Sequence, residues 1–136
     1  MKKLKLSTQQ CVGCKICELS CSFAHFKAYS HDITNIHIIT EESNCDFAPY
    51  ACIQCQERSC VEACPVQALS VNPETGAIAV NQDSCVFCGL CVKSCEYKGI
   101  RIITHEGKKR IAVCDLCGGD APRCVEACFD GGVTFE

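Results

Sequence analysis

Residues 85–95 read CVFCGLCVKSC, with cysteines at 85, 88, 91 and 95. The same step pattern recurs along the chain. Residues 11–21 read CVGCKICELSC and hold Cys11, Cys14, Cys17 and Cys21. Residues 52–65 read CIQCQERSCVEACP, with Cys52, Cys55, Cys60 and Cys64. Residues 114–128 read CDLCGGDAPRCVEAC, with Cys114, Cys117, Cys124 and Cys128. Every group opens with C-x2-C and closes with C-x3-C. The middle gap is two residues in the first and third groups, four in the second and six in the fourth. This is an internal repeat, and an internal repeat decides the fold.

Composition points the same way. Cysteine supplies 17 of 136 residues and is counted in the hydrophobic share of 48 %. Without it that share falls to roughly 35 %, lean beside the ordinary globular composition. A core this thin needs staples such as disulfides, metals or clusters. The formal net charge of −3 gives no global basic field to attract nucleic acid. The N-terminus MKKLKLSTQQ has no apolar h-region behind its lysines, and no run approaches the ~18 apolar residues of a membrane span. The expectation is therefore a cytoplasmic protein without direct membrane insertion, its cysteines serving as thiolate ligands rather than disulfide partners. A secreted disulfide scaffold whose signal was trimmed is the alternative.

The spacing has its own chemistry. C-x2-C-x2-C sets three thiolates on a tight loop around one corner of a cubane, and the x3 step, a turn of helix, carries the fourth away. Closed by proline, this run is the bacterial 4Fe–4S signature, whose fourth cysteine ligates the other cluster of a pair. Four groups then imply four 4Fe–4S clusters in two pairs. Zinc is the competitor, but structural zinc sites are built from two C-x2-C pairs with no fixed third cysteine nearby. A Rieske centre needs two histidines, and none of His25, His31, His37 or His105 sits in a C-x-H pattern.

With these motifs the chain resembles the four-cluster, ferredoxin-like iron–sulfur subunits of anaerobic oxidoreductases. That group includes the electron-transfer subunits of dimethyl sulfoxide reductase, formate dehydrogenase, carbon monoxide dehydrogenase and tungsten-dependent aldehyde oxidoreductase. The resemblance runs from Cys11 to the C-terminus, and the short inter-motif loops look most like the aldehyde oxidoreductase type. It implies an α+β, pseudo-duplicated bacterial ferredoxin-like fold, loop-rich, with two nested dicluster units in one domain of residues 1–136. The inner unit would span 46–99 and the outer unit 1–45 plus 100–136. The implied ligand sets are Cys52, Cys55, Cys60 and Cys95, then Cys85, Cys88, Cys91 and Cys64 for the inner pair. For the outer pair they are Cys11, Cys14, Cys17 and Cys128, then Cys114, Cys117, Cys124 and Cys21. The spacing alone also permits a tandem arrangement, first group with second and third with fourth.

Local patterns predict short strands at 69–71 and 78–80 around the turn NPETG, and a hairpin of 100–104 with 110–113 around HEGKK. Further strands are expected at 36–40 and 133–135. Short helices should follow the third cysteine of each group, the longest over 17–27. Glu62 and Glu126 should face solvent, Phe87 should shield a cluster, and Phe129, standing where the signature has proline, should add an apolar cover. Cys45 is the odd cysteine, either a small packed residue or a thiol that is reactive or an alternative ligand. The run Lys108-Lys109-Arg110 reads as a solvated turn or a docking patch. The basic start of the chain and the acidic tail neutralise one another if they lie together, or mediate self-association between copies.

All implied corners of the clusters are taken by cysteine, so no open metal position remains for a substrate. The chain has no nucleophile–base constellation, Walker loop or GxGxxG. The expected role is a non-catalytic electron-transfer subunit between a catalytic partner, best matched by a tungsten- or molybdenum-pterin oxidoreductase, and a flavin or ferredoxin partner. A free soluble ferredoxin is the main alternative and a structural zinc module the remote one.

Overall fold

A computed structural model describes residues 2–41, 46–119 and 121–136. Cys45 lies outside the described residues, so neither reading of it is tested. Among the described residues, four short helices and eight strands are connected by turns. In chain order they are β1 (Leu4–Leu6), α1 (Ile16–Phe26), β2 (His37–Glu41), β3 (Asp46–Tyr50), α2 (Ser59–Ala63), β4 (Leu69–Val71), β5 (Ile78–Val80), α3 (Leu90–Ser94), β6 (Ile100–His105), β7 (Lys108–Val113), α4 (Arg123–Ala127) and β8 (Val133–Phe135). A 3₁₀ turn, Leu116–Gly119, precedes α4.

The strands form four antiparallel pairs: β1 with β8, β2 with β3, β4 with β5, and β6 with β7. The two central hairpins follow from their turns. Asn72 opens the β4–β5 turn by accepting the Glu74 N–H at 2.9 Å, the Asx geometry that closes a chain on itself. The β6–β7 pair runs one register step further at its tip than the sequence predicts, to His105 opposite Lys108, around Glu106 and Gly107. The β1–β8 pair joins the two ends of the chain, with Leu4 opposite Phe135 and Leu6 opposite Val133. There the Lys5 ammonium meets the Glu136 carboxylate at 2.8 Å, so part of the basic start and the acidic tail do neutralise one another.

The helices pack in two pairs, α1 against α4 and α2 against α3. Each encloses its third cysteine, beginning one residue before it rather than after it. The reason is local. In three cases the residue before the helix is left-handed, Lys15 at φ 62°, Arg58 at 52° and Gly89 at 81°, so the chain turns in sharply and the cysteine falls in the first helical turn. In α4 the preceding residue is Pro122, whose locked φ and missing N–H suit a helix entry.

The core is shared between aliphatic side chains and cysteines. Leu4, Ile36 and Leu116 are fully buried, packed with Leu69, Ile78, Ile100, Ile111 and seven buried cysteines. Gln54, 1 % exposed, ties the chain's first strand to the second cysteine group. Its Oε1 accepts the Leu4 N–H at 3.0 Å and its Nε2 donates to the Cys52 carbonyl at 2.8 Å. The buried amide is thus satisfied at both ends.

Gly99 is pressed against this junction: a Cβ there would lie 2.7 Å from both Cα and N of Cys52. Backbone cannot step aside as a flexible side chain can, so Gly99→Ala should destabilise the protein by about 1–3 kcal/mol. The check is the thermal inactivation midpoint of the anaerobically purified protein, which should fall while Gly107→Ala, at an open turn with φ +77°, costs less.

Candidate metal centres

All sixteen described cysteines are free thiols, and cysteines of different groups lie near one another. Cys52 is pushed up to about 11 by burial, opposed by the Gln54 N–H, with Cys60, Cys55 and Cys95 adding their charge. Cys60 in turn is raised by burial and by Cys95 and Cys55. A hollow of about 330 Å³ is lined by Cys55, Cys60 and Cys95 together with Glu57, Glu96 and Tyr97. A second hollow, of about 340 Å³, is lined by Cys64, Cys85, Cys88 and Cys91 beside Phe87. Burial raises Cys91, and Cys85 and Cys64 add to it.

The first and last groups meet in the same way. Burial pushes Cys17 up to about 12, followed by the Glu18 carboxylate and by Cys11 and Cys128. Cys11 is raised by burial, then by Asp130, Cys128 and Cys14. Burial lifts Cys124 above the thiol range, with Cys21 and Cys117 close by. Cys114 is raised by burial, then by Cys124, Cys52 and Cys21. Cys17 also lies near Cys124, and Cys52 near Cys114.

The backbone around the sulfurs repeats from set to set. In each C-x2-C pair the residue before the second cysteine is left-handed: Gly13 at φ 75°, Gln54 at 52°, Phe87 at 57° and Leu116 at 57°. Its N–H turns back onto the first sulfur: at 3.4 Å from Phe87 to Cys85 and from Leu116 to Cys114, and likewise from Gly13 to Cys11 and from Gln54 to Cys52. The third cysteine of each group receives the N–H of the next residue, Glu18, Val61, Val92 or Val125. Donors aimed at sulfur stabilise thiolate.

The fourth cysteines differ. Cys64 accepts the Ala68 N–H at 3.2 Å and Cys95 the Gly99 N–H at 3.4 Å, each from four residues on. Burial acts to raise Cys64, but the N–H groups of Ala68, Val66, Leu69 and Gln67 bring it below the usual thiol range. α1 runs on past Cys21, so its donors come from elsewhere: the Asn35 N–H at 3.4 Å, the Thr34 hydroxyl, and the His25 ring at 3.6 Å. His25 is held by Asp115 at 2.8 Å and by the Cys21 carbonyl at 2.8 Å. Asp115, then Cys21, push the His25 ring up to about 11 against the effect of burial. Cys128 instead has Asp130 Oδ1 at 2.8 Å from its sulfur.

This donor chemistry fits four-thiolate clusters. Soft sulfurs from different groups lie near one another, the backbone supplies N–H groups to them, and thiolate is the form that binds metal. His25, Asp115, Thr34, Asn35 and Asp130 were not foreseen, because no spacing rule marks a residue that touches sulfur from another element. Asp130 alone had a cue, standing two residues after a fourth cysteine. Phe87 lines its hollow as expected, and Glu62 and Glu126 are exposed. Phe129 corrects an expectation: at 80 % exposed it packs on too little to keep water from a site. The run Lys108–Arg110 is exposed on β7, with the Arg110 guanidinium over the Phe26 ring at 5.4 Å. Among the described residues no helix is long and apolar enough to cross a membrane.

The family described as "4Fe-4S dicluster domain" matches residues 51–99, the stretch that contains the two central cysteine groups and the residues between them. The chain is 39 % identical over 127 residues to the "aliphatic sulfonate oxidoreductase, polyferredoxin-like subunit" of Pyrococcus furiosus, covering 93 % of this chain and 71 % of that protein. It is 35 % identical to the "putative electron transport protein YsaA" of Escherichia coli, over 88 % of this chain and 79 % of that one. Among solved structures, a chain of the active site complex BamBC of benzoyl coenzyme A reductase, in complex with zinc, shares the fold. The TM-score is 0.56 at 19 % identity, over 100 % of this chain and 78 % of that one.

Because Phe129 reaches into solvent, Phe129→Ala should change stability by no more than about 0.5 kcal/mol. Iron content and thermal midpoint of the purified holoprotein should match those of the unmodified chain.

Proposed function

We propose that this chain, which belongs to the polyferredoxin-like 4Fe–4S electron-transfer proteins, carries four clusters and relays single electrons between the catalytic subunit of an oxidoreductase and an external carrier. The observation that supports this reading is that cysteines of different groups line common hollows, Cys55 and Cys60 with Cys95 and Cys64 with Cys85, Cys88 and Cys91, and that the first and last groups lie near one another. When bound, each cluster supplies a site that gains and loses one electron at a potential set by its surroundings.

The proposed ligand sets are those of the nested arrangement: Cys52, Cys55, Cys60, Cys95; Cys64, Cys85, Cys88, Cys91; Cys11, Cys14, Cys17, Cys128; and Cys21, Cys114, Cys117, Cys124. The packing of α1 on α4 and of α2 on α3 supports it over the tandem one, as does the β1–β8 pairing of the chain ends. In this reading the fold is a pseudo-duplicated ferredoxin, with an inner unit of 46–99 and an outer unit of 1–45 plus 100–136. The nearness of Cys17 to Cys124 and of Cys114 to Cys52 supports a row. It runs from the Cys11 site through the Cys114 site and the Cys52 site to the Cys85 site. Cys14 and Cys88 are the two exposed cysteines among those described, one at each end. Val12 and Ile16 stand exposed beside the first, Val86 and Leu90 beside the second. These ends are where partners would approach.

For the catalytic partner we favour a tungsten- or molybdenum-pterin oxidoreductase, on the resemblance to the aldehyde oxidoreductase type, with a flavin or ferredoxin partner at the other end. The Pyrococcus relative is itself described as an oxidoreductase subunit, which supports a complex over a free ferredoxin. Sixteen reduced thiols suit a cytoplasmic protein.

Anaerobic purification should give a brown protein with about sixteen irons and sixteen labile sulfides per chain, together with a co-purifying catalytic subunit. A colourless protein holding zinc would overturn the reading. Serine variants test the pairing: Cys64→Ser and Cys88→Ser should remove the same electron paramagnetic resonance signal, and Cys55→Ser and Cys95→Ser another. If Cys64→Ser instead removes the signal lost in Cys14→Ser, the tandem arrangement is correct.

A further inference from the structure

Three of the four cysteines in each proposed set belong to one group, and its first and third sulfurs receive the same backbone donors in every case. What differs is the fourth ligand, and the difference is greatest between the two outer sites. Cys64 and Cys95 each accept an N–H from the residue four positions on. The corresponding residue after Cys128 is Gly132, and its N–H goes to Asp130 Oδ1 at 3.0 Å instead of to sulfur. Asp130 takes the place that Val66 and Tyr97 hold after Cys64 and Cys95. Its second oxygen accepts the Val12 N–H at 3.3 Å, so the carboxylate is latched to backbone on both sides and cannot readily swing away.

The thiol of Cys128 donates to Asp130 Oδ1 at 2.8 Å. A metal-bound sulfur has no proton to donate, and the same contact then sets a carboxylate against a thiolate. Asp130 also lies close enough to raise Cys11, a second member of that set. The described residues place no lysine or arginine in an ion pair with Asp130. At the other outer site the fourth ligand, Cys21, has the opposite surroundings. It accepts from the Asn35 N–H at 3.4 Å, and the His25 ring faces it at 3.6 Å.

We infer that Asp130 holds the two outer sites apart in potential, the Cys128 site below the Cys21 site. An added electron makes a site more negative: a fixed carboxylate disfavours it, and donors to sulfur favour it. Asp130 acts through a ligand and is a positioning residue in the redox sense. The inference rests on the nested ligand sets proposed above.

The test is a redox titration of the four-cluster holoprotein followed by electron paramagnetic resonance, with signals assigned by their loss in Cys14→Ser and in Cys117→Ser. In the unmodified protein the signal lost in Cys14→Ser should have the lower midpoint; the reverse order overturns the inference even if no other variant folds. Asp130→Asn keeps an acceptor for Gly132 and removes the charge, so it should shift that one signal upward. Asp130→Ala also frees the Gly132 N–H for sulfur and should shift it further. A purely structural role for Asp130 would lower iron content without shifting that one midpoint. If Asp130→Asn leaves every midpoint in place, or moves all four together, the inference fails while the wire stands. Iron well short of four clusters in the unmodified chain, or Cys14→Ser and Cys117→Ser abolishing one common signal, would instead count against the ligand sets themselves.

Discussion

The structure depends on a sharp reversal of the backbone inside each C-x2-C pair. For two cysteines three positions apart to face a common point, the residue between them and next to the second must enter the left-handed region. Gly13, Gln54, Phe87 and Leu116 all do so. For the three that carry a side chain this conformation is uncommon and costs roughly 1–3 kcal/mol each. The N–H that the reversal turns onto the first sulfur offsets some of that strain, and the rest must come from what binds the thiols. A chain with so thin an aliphatic core and this much local strain is best understood as one whose folding is linked to its metal.

The second constraint is reach. In the proposed nested sets, a fourth cysteine displaced along a helix serves a neighbouring loop instead of its own. Two such groups would complete each other when their helices lie side by side, which fits the packing of α2 on α3 and of α1 on α4. It also fits the terminal strand pair, since bringing the first and last groups together brings β1 and β8 together. Gln54 then couples the two halves by holding Leu4 against Cys52.

The parts of this architecture that were legible in sequence are those governed by local rules. The cysteine spacing located all four helices, and turn chemistry located β4, β5 and β8 to the residue. The helices start one residue before the third cysteine rather than after it, a start hidden in the sequence because the left-handed residues before them, Lys15 and Arg58, are not glycines and carry no cue. β1 and β3 were missed for a different reason. Leu4–Leu6 is too short to show alternation, and Asp46–Tyr50 carries Pro49, which argues against a strand except at an edge; in a two-stranded sheet every strand is an edge. Around the cysteines, the spacing was legible and the surroundings of the sulfurs were not. Thr34 and Asn35 reach Cys21 from 13 and 14 residues away, on a loop whose path nothing in the sequence specifies.

The loss of the signature proline after three of the four groups takes on a physical meaning in this light. Where proline remains, after Cys64, the following turn delivers a cluster of backbone N–H groups to one sulfur. Glu96, after Cys95, allows the same turn without it, since Gly99 still donates. Proline is therefore sufficient for that geometry and not required. Ser22 and Phe129 mark the two places where the geometry changes outright. After Cys21 the helix continues for another turn, which a proline at position 22 would obstruct, and the buried Ser22 hydroxyl anchors the helix end by donating to the Ala28 carbonyl at 2.6 Å. After Cys128 the turn is kept, but Asp130 takes its N–H. A wire needs its sites to be alike in ligation and unlike in environment. Here the alikeness resides in the repeated C-x2-C turns, and the freedom to differ resides in the few residues that follow each fourth cysteine.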